Sequence, residues 1–184
     1  MARRQPTTQQ RKDFTVSASK QSSSLPPGTD RENALVIETT RGNVVVALRT
    51  DVAPAHAERM KLLAREHFYD DVPFHRVIDG FMAQTGDGQH GNGTGGSKHP
   101  NLKAEFSDVP YKRGTVGMAR TSNPNSANSQ FFIMFEEGSF LNGQYTVIGE
   151  VVQGMDVVDK LKRGEPPSDP DRMVRVRVAA DVEE

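Results

Sequence analysis

The run Val72-Pro-Phe-His-Arg76-Val-Ile-Asp-Gly-Phe81-Met-Ala-Gln84-Thr-Gly86-Asp-Gly88-Gln-His-Gly91-Asn-Gly93-Thr-Gly-Gly96-Ser97 sets one permanent charge, Arg76, among bulky apolar residues and then passes into a loop of glycines. An arginine is almost never buried unpaired, and between Phe74 and Gln84 only Asp79 offers a carboxylate. The segment therefore reads as one wall of a surface cleft, with apolar sides and a few fixed polar groups, rather than as plain core. The glycines read as a loop that needs positive φ at several positions and a close backbone approach.

Working outward, Ala34 to Thr40 and Val44 to Arg49 are apolar, β-branched runs around Arg41-Gly42-Asn43, the pattern of a hairpin. Asp51 is a candidate N-cap and Pro54 suits a first helical turn. Ala57, Met60, Leu63, Ala64 and Phe68 then fall at helical spacing. Beyond the glycines, Gly114 to Ala119, Ser129 to Phe135 and Tyr145 to Val152 read as short strands, and Met155 to Lys162 as a short helix. Val174, Val176 and Val178 alternate with Arg175, Arg177 and Ala179, which marks a closing strand with one wet face. Many short strands and only two helices predict a mainly β domain over residues 34–184, an antiparallel barrel with helices at its open ends, because closure removes exposed edges.

Residues 1–33 are rich in Gln, Ser, Thr, Arg and Lys and hold few large apolar groups. Such a segment cannot offset its ordering entropy and is expected to be a disordered, weakly basic arm, read as a solvated tail rather than a contact for an acidic partner. Its first 30 residues carry a net +3, which leaves −4 for the rest of a chain of net charge −1. That balance argues against a nucleic-acid partner. The 184 residues contain no cysteine, so disulfide and thiolate chemistry are excluded. No apolar run approaches the ~20 residues that span a bilayer, and no apolar segment follows the N-terminal arginines. The expectation is a soluble, cytoplasmic, monomeric protein with no membrane contact.

Gly86 to Gly91 and Gly91 to Gly96 both match the letters of a dinucleotide fingerprint, but they run into Ser97-Lys-His-Pro100 without the helix that would face a pyrophosphate. The five histidines show no metal-pair spacing, there is no Gly-x-Ser-x-Gly elbow, and no acid pair sits in the motif-bearing segments. An enzyme built this way would work without a metal, a cofactor, a covalent intermediate or proton transfer. What remains is Arg76, Gln84 and Gln130 among Phe74, Phe81, Met82, Phe132, Phe140, Leu141 and Tyr145.

Three blocks carry these residues: Phe74-His-Arg-Val-Ile-Asp-Gly-Phe-Met-Ala-Gln84, Gly114-Thr-Val-Gly-Met-Ala-Arg120 with Asn128-Ser-Gln-Phe-Phe-Ile133, and Phe140-Leu-Asn-Gly-Gln-Tyr145. In them the chain resembles the cyclophilin family of peptidyl-prolyl cis-trans isomerases, from about Ala34 to Ala180. The resemblance implies a closed eight-stranded antiparallel β-barrel capped by two α-helices, with the site on its outer face and proline-containing polypeptides as substrates. It implies Arg76 as the catalytic arginine, assisted by Gln84. Phe81, Met82, Phe132 and Leu141 would form the proline pocket. Gln84, Gln130 and the backbone of Ala119, Arg120 and Thr121 would contact the peptide, and Gly93 would line the adjoining groove.

Phe140 stands where the family often has tryptophan and Tyr145 where it often has histidine, as in the bacterial branch. Phe140 lacks an indole N–H that cyclosporin uses in the family, so weak cyclosporin binding is expected. The run Arg120 to Asn128 is about one residue longer than the short family version. A non-catalytic proline-peptide binding or chaperone-like module is the alternative, and Arg76 separates the two, because a pure binder has no need of a cation at the prolyl nitrogen.

Overall fold

The protein is described here by a computed structural model covering residues 25–182. The expectation for the first 24 residues of the arm lies outside this range. Nine strands form one curled, wholly antiparallel sheet: β1 (Ala34–Thr39), β2 (Gly42–Leu48), β3 (Val72–Pro73), β4 (Arg76–Ile78), β5 (Met82–Thr85), β6 (Thr115–Met118), β7 (Phe131–Met134), β8 (Val147–Gln153) and β9 (Arg172–Val178). Their order is β3-β9-β1-β2-β8-β6-β7-β5-β4. This differs from the expected closed barrel of eight strands in its count and in its seam, since no ladder joins β3 to β4. The two end strands are nevertheless neighbours in sequence, separated only by Phe74 and His75. Main-chain bonds flank the gap: Phe74 N–H donates to the Asp171 carbonyl at 2.9 Å, which continues the β3–β9 pairing, and on the β4 side Val77 and Gly164 exchange both bonds at 2.8 Å.

Strand alternation assigns each residue a face. Leu35, Ile37, Val44, Val46, Val116 and Ile133 point into the main core with the apolar side of the first helix. Phe132 and Met134, on either side of Ile133, and Met82, next to the core residue Ala83, point outward into a second apolar cluster, and this outer cluster is the ground on which the site stands. The hairpin between β1 and β2 turns through Thr40 and Arg41, two residues earlier than the Gly-Asn pair suggested, with Gly42 already paired to Thr39. In β9 the regular valine alternation misleads. Ile37 faces Val176, but Thr39 faces Met173, so a bulge displaces Val174 outward, where it is 51% exposed, and Met173 takes the core position.

Helix α1 (Pro54–Arg65) starts at Pro54 as expected and buries Ala57, Met60, Leu63 and Ala64, whereas Phe68 lies past its end. Asp51 is not its cap, because its carboxylate is held by Arg49 at 2.8 and 2.9 Å. Glu105, distant in sequence, supplies the missing anion: it accepts from the backbone N–H groups of Ala55 and His56 at 3.3 and 2.9 Å. Helix α2 is a single turn, Met155–Val158, rather than reaching Lys162. Past it the chain tightens, with the Asp159 and Leu161 carbonyls taken by Arg163 and the Lys162 N–H by Asp171. Residues 25–33 contact the domain: Leu25 packs on Ala34, Val36, Val45 and Ala179, and Asn33 accepts from Lys61 Nζ at 2.9 Å.

The bulge separates two neighbouring residues energetically. Met173→Ala is expected to cost about 2 to 5 kcal/mol and Val174→Ala less than about 0.5 kcal/mol, both read from urea denaturation midpoints. Equal losses would contradict the register.

Candidate active site

The outward residues of four adjacent strands lie in rows. Arg76 on β4 faces Gln84 on β5, Gln84 faces Phe132 on β7, and Phe132 faces Gly117 on β6. In the next row Ile78 faces Met82 and Met82 faces Met134. Gly117 matters here because a Cβ on it would lie 2.4 Å from the Tyr111 hydroxyl and 2.7 Å from Phe132 Cζ. Its bare backbone lets the two rings stack, at 5.7 Å between centroids. Tyr111 also donates to the Tyr145 carbonyl at 2.8 Å, and burial pushes its phenol pKa above the ordinary range. Phe132 is thereby backed by Tyr111 and met edge-on by Tyr145 at 6.0 Å.

These residues enclose a cleft of about 170 Å³ lined by Arg76, Phe81, Met82, Gln84, Ala119, Arg120, Phe132, Leu141 and Tyr145. Gly93, Thr121 and Gln130 line a larger groove beside it, which shares Gln84, Ala119 and Arg120. Of the residues singled out from sequence, two line neither: Phe74 is buried in the main core, and the other is Phe140. It is 70% exposed, with its ring 5.6 Å from that of Phe81 at the rim.

A polar relay runs between cleft and groove. Gln130 Nε2 donates to the Gly93 and Gly95 carbonyls at 2.9 Å, and its Oε1 accepts from Gln84 Nε2 at 3.0 Å. Gln84 Oε1 is thus turned toward Arg76, whose Nη1 lies 3.4 Å away. Arg76 also has a distant carboxylate that the sequence did not suggest, Glu165 at 3.9 Å, while Asp79 pairs with Arg163. Both contacts of Arg76 are long, and its side chain is exposed, so its N–H groups remain available to a ligand.

The glycine loop is organised by a residue not singled out from sequence. Asp87 is buried, and its carboxylate accepts from the backbone N–H groups of Gln89, His90, Asn92, Gly93 and Gly95 at 2.8 to 3.2 Å. A Cβ on Gly95 would meet Asp87 Oδ1 at 2.4 Å. Burial alone would raise the Asp87 pKa, but the donors from His90, Gly95, Asn92 and Gly93 outweigh it and hold it at about 2. The only hint in the sequence was an Asp-Gly pair, a turn signal, inside the glycine run. Asn128 ties the far end of the groove, accepting from Ser97 and donating to the His99 carbonyl at 2.9 Å.

A family model described as cyclophilin type peptidyl-prolyl cis-trans isomerase/CLD matches residues 34–179. The chain belongs to this cyclophilin-type family. A curated Brucella suis relative named "Probable peptidyl-prolyl cis-trans isomerase" is 53% identical over 167 residues, covering 83% of this chain and 85% of the relative. An Escherichia coli relative named peptidyl-prolyl cis-trans isomerase B is 40% identical, over 70% of this chain and 83% of its own length. Among solved structures, a cyclophilin from Hirschia baltica superposes with a TM-score of 0.78 at 29% identity, covering 84% of this chain and 77% of that one. A cyclophilin-type isomerase of Cryptosporidium parvum, solved in the presence of the dipeptide Ala-Pro, gives 0.73 at 25% identity over 79% and 98%. The cleft described above is built by the matched region of this cyclophilin-type chain.

The Asp87 pKa fixes a pH dependence. Its folded value of about 2 lies below the ordinary 3.8, so the stability it contributes is fully present above pH 4 and is lost as pH falls toward 2. That contribution is ~2 kcal/mol. Asp87→Asn should lower stability at pH 7 and flatten the loss between pH 4 and 2, as followed by urea titrations at fixed pH.

Proposed function

We propose that the protein accelerates rotation about Xaa-Pro bonds by non-covalent stabilisation of the twisted amide, and so assists folding of proline-containing polypeptides. The observation that carries this is the sharing of one wall: Arg76 stands beside an apolar cleft formed by Phe81, Met82, Phe132 and Leu141. An amide resists rotation by about 18 to 20 kcal/mol because its nitrogen lone pair is delocalised into the carbonyl. In the twisted transition state the lone pair returns to nitrogen. A guanidinium directed there binds the twisted form better than either planar isomer, which lowers the barrier. In this reading Phe81, Met82, Phe132 and Leu141 grip the ring, and Gln84 steadies Arg76. Gln130, Gly93 and the backbone at Ala119, Arg120 and Thr121 hold the flanking chain. Lowering the barrier by about 5.5 kcal/mol gives ~10⁴-fold acceleration, within reach of one oriented cation and a shaped pocket.

We also read the curled sheet as a barrel whose seam is closed by an isolated main-chain bridge rather than a ladder, a reading supported by the paired bonds of Val77 and Gly164. The rival, a proline-peptide binding module without catalysis, needs the cleft but not Arg76.

Exchange NMR on an Ala-Pro peptide separates the two readings. The wild type should show exchange far above background, and Arg76→Ala should lose at least about 100-fold, or ~2.7 kcal/mol of transition-state stabilisation. Equal rates for the two proteins would refute the mechanism. Because Phe140 offers no N–H donor, cyclosporin should bind no tighter than micromolar in calorimetry, and a nanomolar constant would show that the missing donor is immaterial.

A further inference from the structure

Arg120 carries a charge that the site leaves without a counter-ion. Its guanidinium lies 4.3 Å from the centre of the Tyr145 ring. Nε and Nη2 donate to the Gln144 carbonyl at 3.2 and 2.7 Å, and Nη1 donates to the Thr121 carbonyl at 2.9 Å. All three bonds go to neutral oxygens, and a guanidinium has five N–H donors. The fork is therefore held in place with donors to spare and its charge intact.

Its position gives that charge a use. Arg120 borders both the proline cleft and the adjoining groove. Neither cavity is lined by a carboxylate among the described residues. Asp87 lies beneath the loop with its oxygens occupied by backbone N–H groups, and Glu165 is placed beside Arg76 instead. Apart from Arg76, every other residue lining the two cavities is uncharged. Arg120 is shared by the two cavities with Gln84 and Ala119, so a peptide running from the cleft into the groove lies alongside it.

We propose that Arg120 is a specificity-determining residue that selects proline peptides bearing an acidic side chain on the flank lying along the groove and disfavours a basic one there. This rests on the isomerase reading above. The cation–π contact and the carbonyl anchors fix the guanidinium beforehand, so little side-chain ordering is needed when a carboxylate arrives. The pair is partly solvated, which limits its strength and makes it sensitive to salt.

The test uses peptides with a central Ala-Pro in which Glu, Gln or Lys occupies, in turn, each of the two positions before and after that pair. kcat/KM is measured by exchange NMR for the wild type, Arg120→Gln and Arg120→Lys, at low and at high salt. At one flank the wild type should favour Glu over Lys by about fivefold at low salt, and the ratio should shrink at high salt. Arg120→Gln should bring it within twofold whatever its overall rate, and Arg120→Lys should retain the preference. A wild-type ratio within twofold at every position, with the Gln peptide still accelerated, would overturn the inference alone. So would a preference that survives Arg120→Gln. No acceleration of the Gln peptide by the wild type would overturn the isomerase reading and the inference together.

Discussion

The outward face of β4, β5, β7 and β6 is a set of registered rows, and the rest of the site depends on that register. Arg76, Gln84, Phe132 and Gly117 are neighbours only because three ladders hold their strands in step. Side chains alternate with a period of two, so a slip of one residue on β4 would turn Arg76 inward and Val77 outward. The same slip would place a guanidinium in the main core, at a cost far beyond any surface ion pair. The burial of Val77, Ala83, Phe131 and Ile133 on one face therefore dictates the placement of the charged and aromatic groups on the other. Chemistry and stability share one set of hydrogen bonds.

Around this frame two devices keep the site rigid. Tyr111 braces Phe132 from behind, made possible by the absent side chain at Gly117. Asp87 gathers the N–H groups of the glycine loop, leaving the Gly93 and Gly95 carbonyls to be taken by Gln130. A loop so rich in glycine would lose much entropy on binding if it were free, and these bonds remove most of that cost beforehand. The polar relay then carries the order across Gln84 to the guanidinium of Arg76.

Legibility in the sequence followed the range of the interaction. The apolar strands and Pro54 at a helix start were local patterns, whereas the grouping of Arg76, Phe81, Met82, Gln84, Phe132, Leu141 and Tyr145 around one cleft came from the family resemblance that the three motif blocks carry. Features that depend on distant partners were missed. Glu105 caps α1 from 49 residues away, Glu165 approaches Arg76 across the seam, and Tyr111 stands in a Pro-Tyr-Lys setting without periodicity. Val174 was misplaced because a bulge inserts a residue without altering the letters on either side. Phe140 shares a motif with Leu141, but the short 3₁₀ turn at Ser139–Leu141 buries Leu141 and leaves Phe140 at the rim.

The seam has a further consequence. Val77 and Gly164 exchange two hydrogen bonds, and their chain neighbours Arg76 and Glu165 lie on the same side of that bridge. The segment after α2 is far from the motif blocks in sequence, yet it sets the electrostatic surroundings of the guanidinium and anchors the strand that presents it. Changes of length in residues 165–170 are thus free only while Gly164 keeps its place beneath Val77. A loop that looks dispensable is tethered at both ends, by Gly164 and Glu165 beside β4 and by Asp171 beside Phe74, and lineages or designers that lengthen it can do so between those ends alone.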